Sequence, residues 1–221
     1  MSVTEESYKT YHRAYSRAEQ ISDAAVHAIA LLVGLIGFSA LLWTVAVNRT
    51  GLDLLATGIY AAAFFASFGL SAAYNMWPMT PFKWVLRRYD HAAIYLLIAG
   101  SCTVFLSQVE GLHWTVPLIT IIWTVAMGGI WLKLAYPGRF ERLSLALYLS
   151  LGWVTVIAIG PIVQSLPLVT VVLIGAGGLI YSTGVLFYRQ KTLVFHNTIW
   201  HAFVTVAAFC HLAGAAIALT A

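Results

Sequence analysis

The chain has 221 residues, of which 61% are hydrophobic and only 9% charged, and its formal net charge is +4. A soluble domain carries roughly 25% charged residues, so the composition excludes a soluble enzyme and requires an integral membrane protein. The positive balance calls for no nucleic-acid partner, because basic loops suit the anionic inner leaflet of a membrane.

A helix that crosses the hydrocarbon core takes about 20 apolar residues. Seven stretches meet this length, over residues 25–47, 52–76, 89–107, 114–134, 143–163, 167–187 and 199–220. Strong hydropathy without ten-residue alternation excludes an outer-membrane barrel. The fold expected is all-α, a seven-transmembrane helix bundle, with residues 1–24 as an N-terminal segment and 25–221 as one transmembrane domain. The polar N-terminus lacks an apolar core followed by a small-residue cleavage site, so no cleaved signal peptide is expected.

Residues 1–24 carry Lys9, Arg13 and Arg17 at four-residue intervals, interleaved with Tyr8, Tyr11 and Tyr15. Such a stretch forms either an amphipathic helix on the inner membrane surface or a disordered basic tail. Glu19, Ser22 and Asp23 precede the first apolar run, and Ser22 and Asp23 are good N-cap types. His27, one turn into that run, reads as a hydrogen-bonded packing residue. Span two ends at SAAYNMWP, where Ser71 and Asn75 are four apart and share a helix face. Span three opens on Arg87, Arg88, Asp90 and His91. Spans four to six carry few ionisable groups; Trp114, Trp123, Trp131 and Trp153 fit interface belts or packing. Gly175, Gly177, Gly178, Ser182 and Gly184 make span six rich in small residues, which permits close helix contact. Cys102 and Cys210 read as small apolar packing residues. Span seven, beginning FHNTIWHAFVTVAAFCH at Phe195, is apolar yet holds His196, Asn197, His201 and His211.

Seven spans put the termini on opposite sides. All of the twelve Lys and Arg except Arg49 then fall on one side, which the positive-inside rule makes cytoplasmic. The N-terminus is expected inside and the C-terminus outside, in the plasma (inner) membrane. With that alternation Ser71 and Asn75, Asp90 and His91, Asn197 and His201, and His27 fall in one polar layer in the inner-leaflet half. At 1.5 Å per residue His211 lies roughly 15 Å beyond His201. Ionisable groups at membrane depth are costly and mark function by default.

Four stretches carry a family resemblance: SAAYN at 71–75, RRYDHAAIYLLIAGSCTVF at 87–105, YPGRFERLSLALYLSLGW at 136–153 and FHNTIWHAFVTVAAFCH at 195–211. With the seven-span layout they resemble the hemolysin III family, the bacterial branch of the progestin and adipoQ receptor (PAQR) superfamily. The resemblance implies S-x-x-x-H at the end of span two, an aspartate opening span three, and H-x-x-x-H in span seven. Its three histidines hold zinc near the cytoplasmic side, the serine and aspartate flank a bound water, and eukaryotic relatives look like ceramidase-type lipid amide hydrolases. Carried over, Ser71 and Asp90 match the serine and aspartate as candidate catalytic residues, and His201 matches the last histidine as the candidate metal ligand. Asn75 and Asn197 stand at the other two ligand positions, with His196 beside the second and about 140° round the helix from His201. An amide is a weaker, neutral donor than imidazole, so the ordinary zinc centre is expected to be degenerate.

The function expected is a hemolysin III/PAQR-type protein of membrane lipid or membrane energy homeostasis, with lipids as partners and no cofactor. The first alternative is a zinc-dependent lipid amide or ester hydrolase with a rearranged site drawing on His27 or His91. The second is a proton or small-solute carrier using His27, His91, His196, His201 and Asp90.

Overall fold

The computed structural model describes residues 15–221, with only the backbone of Leu112 and Trp114. The surface helix or tail expected over residues 1–14 lies outside the described residues. Among the described residues all regular structure is helical: α1 (Arg17–Asn48), α2 (Gly51–Met76), α3 (Pro81–Ser107), α4 (Leu112–Ala135), α5 (Glu141–Trp153), α6 (Ile159–Ser165), α7 (Leu168–Arg189) and α8 (His196–Thr220). α5 and α6 are joined by a 3₁₀ turn, Val154–Ala158, into one span, so seven helical segments are long and apolar enough to cross a membrane. Pro161 accounts for that turn, since its ring has no N–H to give and clashes with the carbonyl four residues back.

The helix starts have local causes. α1 begins ahead of its apolar run because Ser16, not Ser22 or Asp23, caps it. Ser16 Oγ accepts the Glu19 N–H at 3.2 Å, and Glu19 Oε2 accepts the Ser16 N–H at 3.0 Å. This reciprocal capping box leaves Asp23 inside the second turn. Thr50 and Asp53 repeat the device at α2. Pro81 opens α3 at the first helical position, where a missing N–H costs nothing.

α3 is the most enclosed span. α8 packs between α7 and α1, so the last span returns to the first. The α7–α8 approach depends on glycine: a Cβ on Gly177 would stand 2.5 Å from the His211 ring, and one on Gly184 would stand 2.8 Å from the Phe203 Cβ. At the end of the bundle rich in Lys and Arg, Lys133 is only 2% exposed and donates to Glu141 at 3.0 Å, while Arg87 reaches the same carboxylate at 3.1 Å. Cys102 and Cys210 are free thiols.

Candidate functional site

Glu19 sets the register between the first helix and the last. Its Oε2 closes the α1 capping box, and its Oε1 accepts the Phe195 N–H at 3.1 Å. Phe195 has φ 60°, a left-handed turn that starts α8 abruptly. A carboxylate at a helix N-terminus is favoured by the exposed N–H groups there. The end of α2 is held comparably: Lys83 Nζ donates to the carbonyls of Asn75 and Trp77 at 3.2 and 2.8 Å.

These two clamps bring α1, α2 and α8 together over one buried polar cluster. Asp23 and His27 share a face of α1, four residues apart. His27 Nδ1–H donates to the Asp23 carbonyl at 2.8 Å, and His201 Nδ1 lies 2.6 Å from Asp23 Oδ1. A carboxylate only accepts, so His201 carries its proton on Nδ1 and its Nε2 accepts from the Ser71 hydroxyl, 3.4 Å away. The His27 and His201 rings sit edge to face with centroids 4.5 Å apart. Asp90, buried on α3, lies in electrostatic reach of His201, Ser71 and Asp23. A shallow cleft at the Lys- and Arg-rich end reaches this cluster past Tyr15, Met76 and Phe195.

The amides at the two expected ligand positions are engaged with each other. Asn197 Nδ2 donates to Asn75 Oδ1 at 2.9 Å and to Asp23 Oδ2 at 3.4 Å, while Asn75 Nδ2 turns back to the Ser71 carbonyl at 2.8 Å. Asn75, Asn197 and His201 therefore meet, but as a hydrogen-bonded group. With one imidazole among them, they do not fit a three-histidine zinc centre.

Ser71, Asn75, Asn197, His201 and His27 are thus brought together, with Asp90 alongside. His91 is not part of the cluster: its Nδ1 faces Glu141 at 4.0 Å, among the cations of α3 and α4. His196 also turns elsewhere, with Nε2 3.4 Å from the Tyr15 hydroxyl, as its angular offset from His201 requires. His211 lies apart, against the Ile174 carbonyl at 3.3 Å. The residue that reasoning from sequence missed is Asp23, read as a cap. The signal in the sequence is the four-residue spacing from Asp23 to His27, which puts both on one helix face.

Comparison with known proteins agrees with this architecture. Residues 15–212 match the family model described as Haemolysin-III related. The chain is 35% identical over 188 residues to the Hemolysin-3 homolog of Bacillus subtilis (strain 168), covering 84% of this chain and 87% of that protein. It is 34% identical over 188 residues to Hemolysin-3 of Bacillus cereus, covering 84% and 85%. It is 26% identical over 199 residues to the Monocyte to macrophage differentiation factor of Homo sapiens, covering 87% and 81%. The match extends from the start of α1 into α8 and so spans the helices that build the buried cluster, and on it the chain belongs to the haemolysin-III-related family.

Proposed function

We propose that this protein works in membrane lipid or membrane energy homeostasis by engaging lipid at its polar cluster. In this reading it sits in the plasma (inner) membrane with the N-terminus and the Lys- and Arg-rich end in the cytoplasm. The observation that carries the reading is the cleft that leads from that end to Asp23, Asn75 and Asn197 between the exposed apolar side chains of Met76 and Phe195. The cleft, about 10 Å³ in volume, has room for one water only, so in this reading a headgroup meets its polar rim at Asn75 and Asn197 while the acyl chain lies along Met76 and Phe195. The basic collar at the same end attracts anionic headgroups. The test is the lipid composition of cells lacking the gene, complemented either by the wild type or by Asn75→Ala with Asn197→Ala. The expected result is a shift in lipid classes that the wild type reverses and the double variant does not. An unchanged lipid profile in the deletion would overturn the reading.

A second reading, lipid amide or ester hydrolysis, is favoured by the meeting of Asp23, His27 and His201. A metal held there by Asp23, His27 and His201 would supply an activated water and a Lewis acid. In this reading Ser71 and Asp90 would orient that water and the carbonyl. Release of fatty acid from an N-acyl lipid in proteoliposomes, lost on Asp90→Asn, is the expected outcome; equal release by that variant counts against it.

A further inference from the structure

Two of the three ligand positions that the resemblance implies, 75 on α2 and 197 on α8, hold amides, yet the third, His201, meets two ionisable donors of α1. Asp23, His27 and His201 are all buried, and one donor atom from each lies within 4.8 Å of the others. We infer that Asp23 and His27 of α1 and His201 of α8 form a metal site, taking one divalent first-row transition ion through a carboxylate and two imidazoles.

Three observations carry this. The first is charge. Asp23 has no Lys or Arg partner among the described residues, and its contacts are His27, His201 and Asn197. Asp90, which also lies in electrostatic reach of Arg87, brings a second carboxylate near the same imidazole. Buried charges are paired or coordinate metals, and a divalent cation would offset Asp23, the acid with no Lys or Arg beside it among the described residues.

The second is an imidazole with a spare lone pair. The Nδ1–H of His27 is committed to the Asp23 carbonyl, so its Nε2 carries the lone pair. That nitrogen is buried and has no hydrogen-bond partner among the described residues. A ligating histidine characteristically holds its other ring nitrogen on a backbone carbonyl or carboxylate, which sets the tautomer. His27 is already in that arrangement.

The third is the support around the carboxylate. Asn197 donates to Asp23 Oδ2 and is itself held by Asn75. The two amides orient Asp23 instead of acting as ligands. Two imidazoles and one carboxylate suit zinc, iron(II), cobalt(II) or manganese(II). Tetrahedral donors about 2.0–2.1 Å from an ion sit roughly 3.3 Å apart. Side-chain torsions would therefore open the Asp23 Oδ1–His201 Nδ1 pair from 2.6 Å by about 0.7 Å and close separations of up to 4.8 Å by about 1.5 Å. When the ion takes His201 Nδ1, the ring proton moves to Nε2, where Ser71 Oγ accepts it, so no proton is lost.

The inference deepens the hydrolytic reading but does not depend on it, because an ion that clamps α1 to α8 satisfies it equally. The test uses full-length protein in detergent, loaded separately with zinc, cobalt(II) and manganese(II) and desalted. Bound metal is then measured by mass spectrometry beside the variants Asp23→Asn, His27→Gln and His91→Gln. The expected result is about one ion per chain in the wild type and in His91→Gln, and at least a tenfold loss in Asp23→Asn and His27→Gln. Only trace metal in the wild type with every ion, or retention unchanged in both ligand variants, overturns the site. Should those variants lose helical circular dichroism, zinc-edge X-ray absorption of the wild type decides. Two imidazoles in an all-N/O shell is the expected result, whereas a thiolate or fewer than two imidazoles overturns the assignment. Metal bound without lipid hydrolysis keeps this site and removes the hydrolytic reading.

Discussion

His201 and Asp23, 178 positions apart in the chain, meet at 2.6 Å between an imidazole nitrogen and a carboxylate oxygen. The contact joins the last span to the first and draws Ser71, Asn75 and Asn197 in behind it. It is possible only because α8 returns to lie against α1, and that return has a local cause in Glu19.

Glu19 serves two helix starts with one carboxylate. Glu19→Ala is expected to fray the first turn of α1 and free the Phe195 N–H together. The cost is about 2.5–4 kcal/mol, the sum of a lost cap and a lost charge-assisted hydrogen bond. Thermal unfolding in detergent measures it, and an unchanged midpoint would show that the clamp contributes nothing.

The α7–α8 contact tests the role of the small residues in span six. Gly184→Ala places a methyl 2.8 Å from the Phe203 Cβ, whereas nothing lies within 4 Å of a Cβ on Gly175. Gly184→Ala is expected to lower stability by about 1–3 kcal/mol through overpacking, with Gly175→Ala neutral or slightly stabilising. Equal effects from the two would contradict the observed approach.

Lys133 is the buried cation whose charge is met by Glu141. Glu141→Gln strands Lys133 and Arg87 together and is expected to cost about 2 kcal/mol. That is less than the roughly 3–5 kcal/mol of a fully buried pair, because the Glu141 side chain is 39% exposed. Adding Lys133→Met should recover part of the loss. A double variant no more stable than Glu141→Gln alone would mean that Lys133 is not the group being neutralised.

The amides at positions 75 and 197 predict a rescue. In a His27→Gln background that has lost its metal, Asn75→His with Asn197→His supplies two imidazoles beside His201. Zinc is expected to return to about one ion per chain, since three histidines suit it. No return would mean that the α2 and α8 positions no longer converge on a common point.

Orientation has its own measurement. Alkaline phosphatase fused after Ala221 is expected to be active and green fluorescent protein there dark, because the Lys and Arg residues other than Arg49 cluster at the opposite face. The reverse pattern would invert the bundle.

The amino-acid sequence alone determined the number of spans, their helical character, the distribution of basic residues and the family. These follow from hydropathy, length and charge counted along the chain, and they need no knowledge of which helix neighbours which. It also assigns Ser71, Asn75, Asp90, His91, Asn197, His201 and His27 to one depth, since alternating spans assign depth directly. Tertiary structure alone decided the lateral arrangement. Asp90 and His91 are adjacent in sequence, yet His91 faces Glu141 while Asp90 reaches His201, because neighbouring helix positions point about 100° apart. Asp23 is of a good cap type, but Ser16 closes the capping box and leaves Asp23 within the helix. Its role emerged only when α8 packed against α1 and set His201 on its carboxylate.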